Sequence, residues 1–192
     1  MEWLLLDPSE RRMIEEIANQ SDRGAALIAG SYLEKRLEDS IKSIMWATEP
    51  VYKEIFEGTG PLATFSAKIN VAYALGLYPK EIQEKCHLIR RIRNEFAHEI
   101  EPWTFNTESV RNRCRILSIP KFLAPEGSKQ EDFDVPSNAL VRYREQLSSA
   151  QTNRERYIAF VVLMTALLAS TIMQWTHREP KNVQAFSSLY RF

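Results

Sequence analysis

Gly24-Ala25-Ala26-Leu27-Ile28-Ala29-Gly30-Ser31-Tyr32-Leu33-Glu34-Lys35-Arg36-Leu37 is the stretch whose reading decides the fold. From a start at Asp22 it opens on small residues, turns amphipathic, and carries on through Ile41, Ile44 and Met45. Apolar residues spaced three and four apart fall on one face of an α-helix. Small residues on that face let a neighbouring helix approach closely, so the spacing predicts a long helix at the core.

Working outward, Asp7 and Pro8 mark a helix start, and Met13, Ile14 and Ile17 give a short helix through about Ala18. After the long helix a brief segment spans about Val51 to Phe56, and Gly58-Thr59-Gly60-Pro61 reads as a turn. A strongly apolar helix is predicted over Leu62 to Leu77. Pro79 then sets the start of another that runs from Lys80 into Arg93-Asn94-Glu95-Phe96-Ala97-His98. The short Gly76 to Pro79 connection makes these two an antiparallel hairpin, with Leu75 expected to pack between its helices. Thr107 to Leu117 reads as a further helix, about 118–138 as a loop or lid rich in Pro, Gly and acids, and Ala139 to Leu147 as a short helix. Asn153 to Trp175 is the closing helix, and about 178–192 a loosely attached tail.

A chain of 192 residues with 44% hydrophobic and 26% charged residues can bury one sizeable core. With only 6 glycines and no alternating Val/Thr stretch, the composition favours helices joined by short connections over a sandwich or barrel. The expected fold class is all-α: a single compact bundle of about six to eight helices, one domain over 1–192, with a long buried C-terminal helix. Tyr157 to Thr176 carries no charged residue and approaches the length of a bilayer span. Thr165, Ser170, Thr171 and Gln174 dilute it, however, and the amphipathic remainder needs a central element, so it reads as a core helix and no membrane association is expected.

Lys+Arg and Asp+Glu both total 25, which removes any long-range attraction to nucleic acid. No helix-turn-helix spacing is present, so direct sequence-specific DNA binding is not expected. The two cysteines, Cys86 and Cys114, lack metal-ligand spacing and read as reduced structural thiols. The N-terminal Met1-Glu2-Trp3-Leu4-Leu5-Leu6-Asp7 has no signal-peptide pattern, and a cytoplasmic location is expected. Neither a cofactor nor a metal is expected.

The chemistry concentrates in the run from Arg90 to His98. At about 100° per residue, Arg91, Asn94 and His98 fall within about 60° of one another, opposite Ile82, Ile89, Ile92 and Phe96. Arg93 lies about 140° from His98, so one straight helix cannot aim both at one small group. Either the helix breaks near Asn94 to Ala97, or the two residues converge with those of another protomer.

The block Gly60-Pro61-Leu62-Ala63-Thr64-Phe65-Ser66-Ala67-Lys68-Ile69-Asn70-Val71-Ala72-Tyr73-Ala74-Leu75-Gly76-Leu77, followed by Ile89-Arg90-Arg91-Ile92-Arg93-Asn94-Glu95-Phe96-Ala97-His98, resembles the signature of the mannitol-repressor (MtlR-like) regulator family. The resemblance covers the central third of the chain, about 60–98. It implies a bacterial regulator of transcription that acts through a protein partner or self-association, a homodimer being one form of it. Within the block, Arg93, Asn94 and His98 resemble the Arg, polar, His pattern of HEPN domains, helical bundles that often dimerise and in many members cut RNA without a metal. That second resemblance implies catalytic roles for Arg93, Asn94 and His98. His98 would move the proton of a ribose hydroxyl or leaving oxygen, Arg93 would hold charge on the phosphate, and Asn94 would orient the imidazole or bind the phosphate. Arg90 and Arg91 would hold the RNA backbone. Whether the chain is an enzyme therefore stays open.

The plainer account of the same residues pairs Arg93 with Glu34 or Glu38 of the long helix, makes Asn94 and His98 helix-end hydrogen-bond partners, and leaves Phe96 in the core. Glu95, Glu99 and Glu101 offset the local basic charge. Arg111, Arg113 and Arg115 read as a solvated face, and His87 and His177 as structural. Lys68 and Asn70, inside an apolar helix, must find polar partners between helices.

Overall fold

The computed structural model describes residues 8–120 and 145–176. Its helices are α1 (Pro8–Ala18), α2 (Asp22–Ile44), α3 (Glu49–Phe56), α4 (Phe65–Ala74), α5 (Lys80–His98), α6 (Glu108–Ile116) and α7 (Asn153–Thr176). Residues 145–149 are helical as well, and no strand occurs among the described residues. The expected all-α architecture stands, with α2 at its centre packed against α7, α5, α4 and α1. The expected tail, His177 and the N-terminal run lie outside the described residues. So does the loop beyond 120 and the first part of the helix expected from Ala139.

Helix α2 is seated by its sequence. The Ser21 hydroxyl accepts from the Gly24 amide at 3.2 Å, capping the first turn. Its inward face is Ala25, Ala26, Ala29, Gly30, Leu33, Leu37, Ser40 and Ile41, all buried. The small end of that row lets α7 close in, and the Tyr157 hydroxyl donates to the Ala26 carbonyl at 3.0 Å. Burial pushes the Tyr157 phenol far above its ordinary range, so it stays a neutral donor. Along α7, Tyr157, Ile158, Ala159, Phe160, Val161, Val162, Leu163, Met164, Leu167 and Leu168 are buried and Ile172 partly so. The apolarity of α7 is thus spent on protein packing, and among the described residues no helix is long and apolar enough to cross a membrane. Cys86 and Cys114 are free and buried, and burial pushes both thiols up to about 12.

The hairpin of α4 and α5 is present but shorter than expected. Thr64, not Leu62, begins α4: its hydroxyl accepts from the Ala67 amide at 3.2 Å. At the other end Gly76 adopts φ +73°, its amide donates to the Tyr73 carbonyl at 2.9 Å, and the Leu77 amide donates to the Ala72 carbonyl at 3.0 Å. That pair of bonds is a Schellman stop, which a residue with a side chain would strain. Leu75, expected inside the hairpin, is therefore the C-cap and is 47% exposed. Ile69, Ala72, Tyr78, Ile82 and Cys86 of the hairpin are buried instead. Leu75→Ala should change unfolding free energy by less than about 0.5 kcal/mol in urea denaturation, the range of surface substitutions; a loss above about 2 kcal/mol would contradict this placement.

Candidate functional site

Helix α5 runs unbroken to His98, so the break considered for Asn94 to Ala97 is absent. Ile82, Ile89, Ile92 and Phe96 are fully buried, as the wheel requires. Arg91 and His98 are exposed, while Arg90, Arg93 and Asn94 are half-buried.

Arg93 is placed by a glycine on the facing helix. A Cβ at Gly30 would lie 2.7 Å from Arg93 Cγ and 2.9 Å from its Cβ, so only glycine lets the arginine stem cross α2 at that point. Beyond the stem, Arg93 Nη1 donates to Asn94 Oδ1 at 3.0 Å. A pocket of about 310 Å³ opens here, lined by Glu34, Ala63, Thr64, Phe65, Ser66, Arg90, Arg93 and Asn94. Three of the expected site residues, Arg90, Arg93 and Asn94, are thus brought together with the first turn of α4. Arg91 and His98 do not line the pocket.

The acids near the motif have other employment. Glu95 Oε1 meets Arg113 Nη1 at 2.7 Å, and the Ser109 hydroxyl donates to Glu95 Oε2 at 3.3 Å, tying α5 to α6. Arg113 is therefore an ion-pair partner and not part of a solvated face. After His98 the chain is held by Arg23, whose Nη2 donates to the carbonyls of Glu99 and Glu101. The pairing considered for Arg93 belongs to a different cation. Lys68, 5% exposed, sets its Nζ 3.2 Å from Glu34 Oε1 and 3.0 Å from Glu38 Oε2. Asn70 Oδ1 accepts from Gln83 Nε2 and meets His87 Nε2, each at 3.0 Å. Desolvation, then the nearby Arg90, Arg91 and Lys80, lowers the His87 pKa and keeps the ring neutral. Among the described residues no group of three or more His, Cys, Asp or Glu gathers as metal ligands would.

The contribution of Thr64 and Ser66 to this pocket is missed by sequence reasoning. The available signal was Thr64 three residues before Ala67, an N-cap pattern.

No protein-family profile matches the chain. No curated protein matches it either. Among solved structures, it is similar to a chain of the X-ray structure of the MtlR-HPr complex from Escherichia coli. The superposition has a TM-score of 0.55 at 19% identity and covers 86% of this chain and 99% of that one. At such identity the likeness shows a shared all-helical fold.

Proposed function

We propose that the chain is a single helical regulatory module of the MtlR-like kind, acting through a protein partner or self-association and without a DNA-reading element of its own. The observation that carries this reading is the fold likeness, nearly end to end, to a chain from a protein–protein complex, that of MtlR with HPr. Surface chemistry supports it. Trp46 is 74% and Ile100 96% exposed, large apolar groups of the kind that anchor protein contacts. The basic run of α5 is meanwhile offset by acids, which disfavours a nucleic-acid surface. The reading implies a cytoplasmic regulator of gene expression. Calorimetric titration of the purified chain with HPr tests it, alongside its mass in solution. Saturable binding or a stable homo-oligomer is expected; a monomer that gives no heat with HPr would defeat the proposal.

One observation favours a second reading, the metal-independent HEPN-type ribonuclease. Arg93 and Asn94 are hydrogen-bonded to each other and share an open pocket with Arg90. His98 lies outside that pocket, so on this reading it must come from a second copy of the chain. Because His98 is exposed, His98→Ala should leave the melting temperature nearly unchanged. It should abolish any RNA cleavage that persists in a metal chelator. Equal cleavage by both proteins, or none by either, removes the catalytic role of His98.

A further inference from the structure

We infer that His87 is a modification site, a nucleophile whose Nδ1 accepts a phosphoryl group from a phosphoramidate donor on the outer face of α5. The inference stands apart from the partner reading, and it uses neither Arg93, Asn94 nor His98.

A relay of hydrogen bonds settles which ring nitrogen is free. Lys80 Nζ can only donate, and it lies 2.7 Å from Gln83 Oε1. Gln83 therefore turns its NH₂ to Asn70, at 3.0 Å, where it meets the carbonyl oxygen Oδ1. His87 Nε2 lies 3.0 Å from that same oxygen, so Nε2 carries the proton that the contact needs. In the neutral ring Nδ1 then holds the lone pair. Among the described residues, the enclosed polar side-chain atoms without a partner belong to Arg90, Arg93, Arg111 and Gln146. Nδ1 of His87 has no hydrogen-bond partner among the described residues and is not one of these enclosed atoms, so it opens to water.

An imidazole nucleophile has to be neutral, fixed in one tautomer and accessible, and His87 meets all three conditions. Burial first, then the cations of Arg90, Arg91 and Lys80, keeps the ring neutral. The same cations select the electrophile, because they attract an anionic group and repel a cationic one. Lys80 is held in place by Gln83 and by the Tyr73 ring, whose centroid is 5.4 Å from Nζ. Arg90 and Arg91 follow His87 by one helical turn. Glu84, one turn earlier, is exposed, where solvent and salt screen its charge. A phosphoryl group in transfer spreads negative charge over its oxygens, which such cations stabilise. The N–P bond that forms is itself reactive, so the donor has to be as reactive, as a phosphoramidate is and a phosphate ester is not. In the step, the Nδ1 lone pair forms the new N–P bond, the N–P bond of the N-protonated donor breaks, and the amine leaves with the electron pair. The positive charge gained by the ring rests on Nε2–H, which donates to Asn70 Oδ1.

The test is incubation of the full chain with potassium phosphoramidate, folded and in urea, with mass spectrometry following phosphoryl gain at each histidine. Urea removes the surroundings of His87 and His98 alike. In the folded chain His87 is expected to react about tenfold faster than in urea, a small share of what positioned charge supplies, and faster than the exposed His98. The gain should survive alkali and be lost in acid, as an N–P bond is. Lys80→Gln and Asn70→Ala should each slow His87 and leave the rate at His98 unchanged, the first by removing a cation and the second by freeing the tautomer. If Asn70→Ala lowers the melting temperature, Lys80→Gln decides. A His87 that reacts no faster folded than in urea, or no faster than His98, overturns the inference, and so does a rate unmoved by Lys80→Gln. Binding of HPr bears on the partner reading alone, so the two stand or fall separately.

Discussion

Phe96→Ala is expected to cost about 3–5 kcal/mol of unfolding free energy, the largest single loss among substitutions near the motif. The ring is fully buried, with its centroid 5.1 Å from that of Phe105, which in turn lies 5.3 Å from Tyr157. Three parts of the chain, α5, the segment ahead of α6, and α7, therefore meet through one aromatic chain. Truncation leaves a cavity that none of them can fill without moving the others, and tilted ring contacts add to the area lost. Urea denaturation should show a lower midpoint at unchanged slope. A loss under about 1 kcal/mol would mean that the cluster repacks freely, contrary to its enclosure.

Lys68→Met should cost about 2–3 kcal/mol, less than a fully buried ion pair because Glu34 and Glu38 keep some contact with water. The substitution keeps the apolar stem and removes the cation that stands between two carboxylates. Its pH signature is distinctive. Burial on its own raises the Glu38 carboxyl, but hydrogen bonds from Lys42, Lys68 and Lys35 bring it down to about 2 from an ordinary 4.5. The unfolded chain thus binds that proton more readily, so this contribution to stability is whole above about 4.5 and is lost as pH falls toward 2. In Lys68→Met the Glu38 carboxyl is held down less, and the difference between variant and wild type should narrow between pH 5 and pH 3. A constant difference across that range would show that Lys68 acts by packing alone.

The same cluster illustrates what the residues alone could reveal. That Lys68 and Asn70 needed partners between helices followed from their place in an apolar run. That Lys68 would take Glu34 and Glu38, leaving Arg93 to Asn94, did not follow, because the wheel of one helix says which side faces inward and nothing of what the facing helix brings. The core helix α2 was legible from its row of small residues, but that α7 is the helix that closes on it was not. The hairpin was legible, but its ends were not: Leu62 and Leu77 look helical by apolarity, whereas the Thr64 cap and the Gly76 stop are decided by backbone hydrogen bonds. As for the pocket, the wheel grouped Arg91 and His98 with Asn94 and set Arg93 apart, whereas the structure gathers Arg90, Arg93 and Asn94. Its other wall depends on where α4 begins, and the reach of Arg93 on a glycine in a different helix.

The central pairing of α2 with α7 has a consequence for how the chain is made. The Tyr157 hydroxyl and the Ala26 carbonyl that it meets are 131 residues apart in sequence. Arg154, at the head of α7, donates to the carbonyls of Ile17, Ala18 and Gln20 at the end of α1 and to Asp22 at the start of α2. During synthesis the ribosome releases α1 to α6 well before either tie can form. Until α7 emerges, the apolar row Ala25, Ala29, Leu33, Leu37 has no cover from it, and the growing chain offers that row to chaperones or to its neighbours on a polysome. Closing so long a loop adds only slowly to the entropic cost, so the delay is set by translation time rather than by the search for contact.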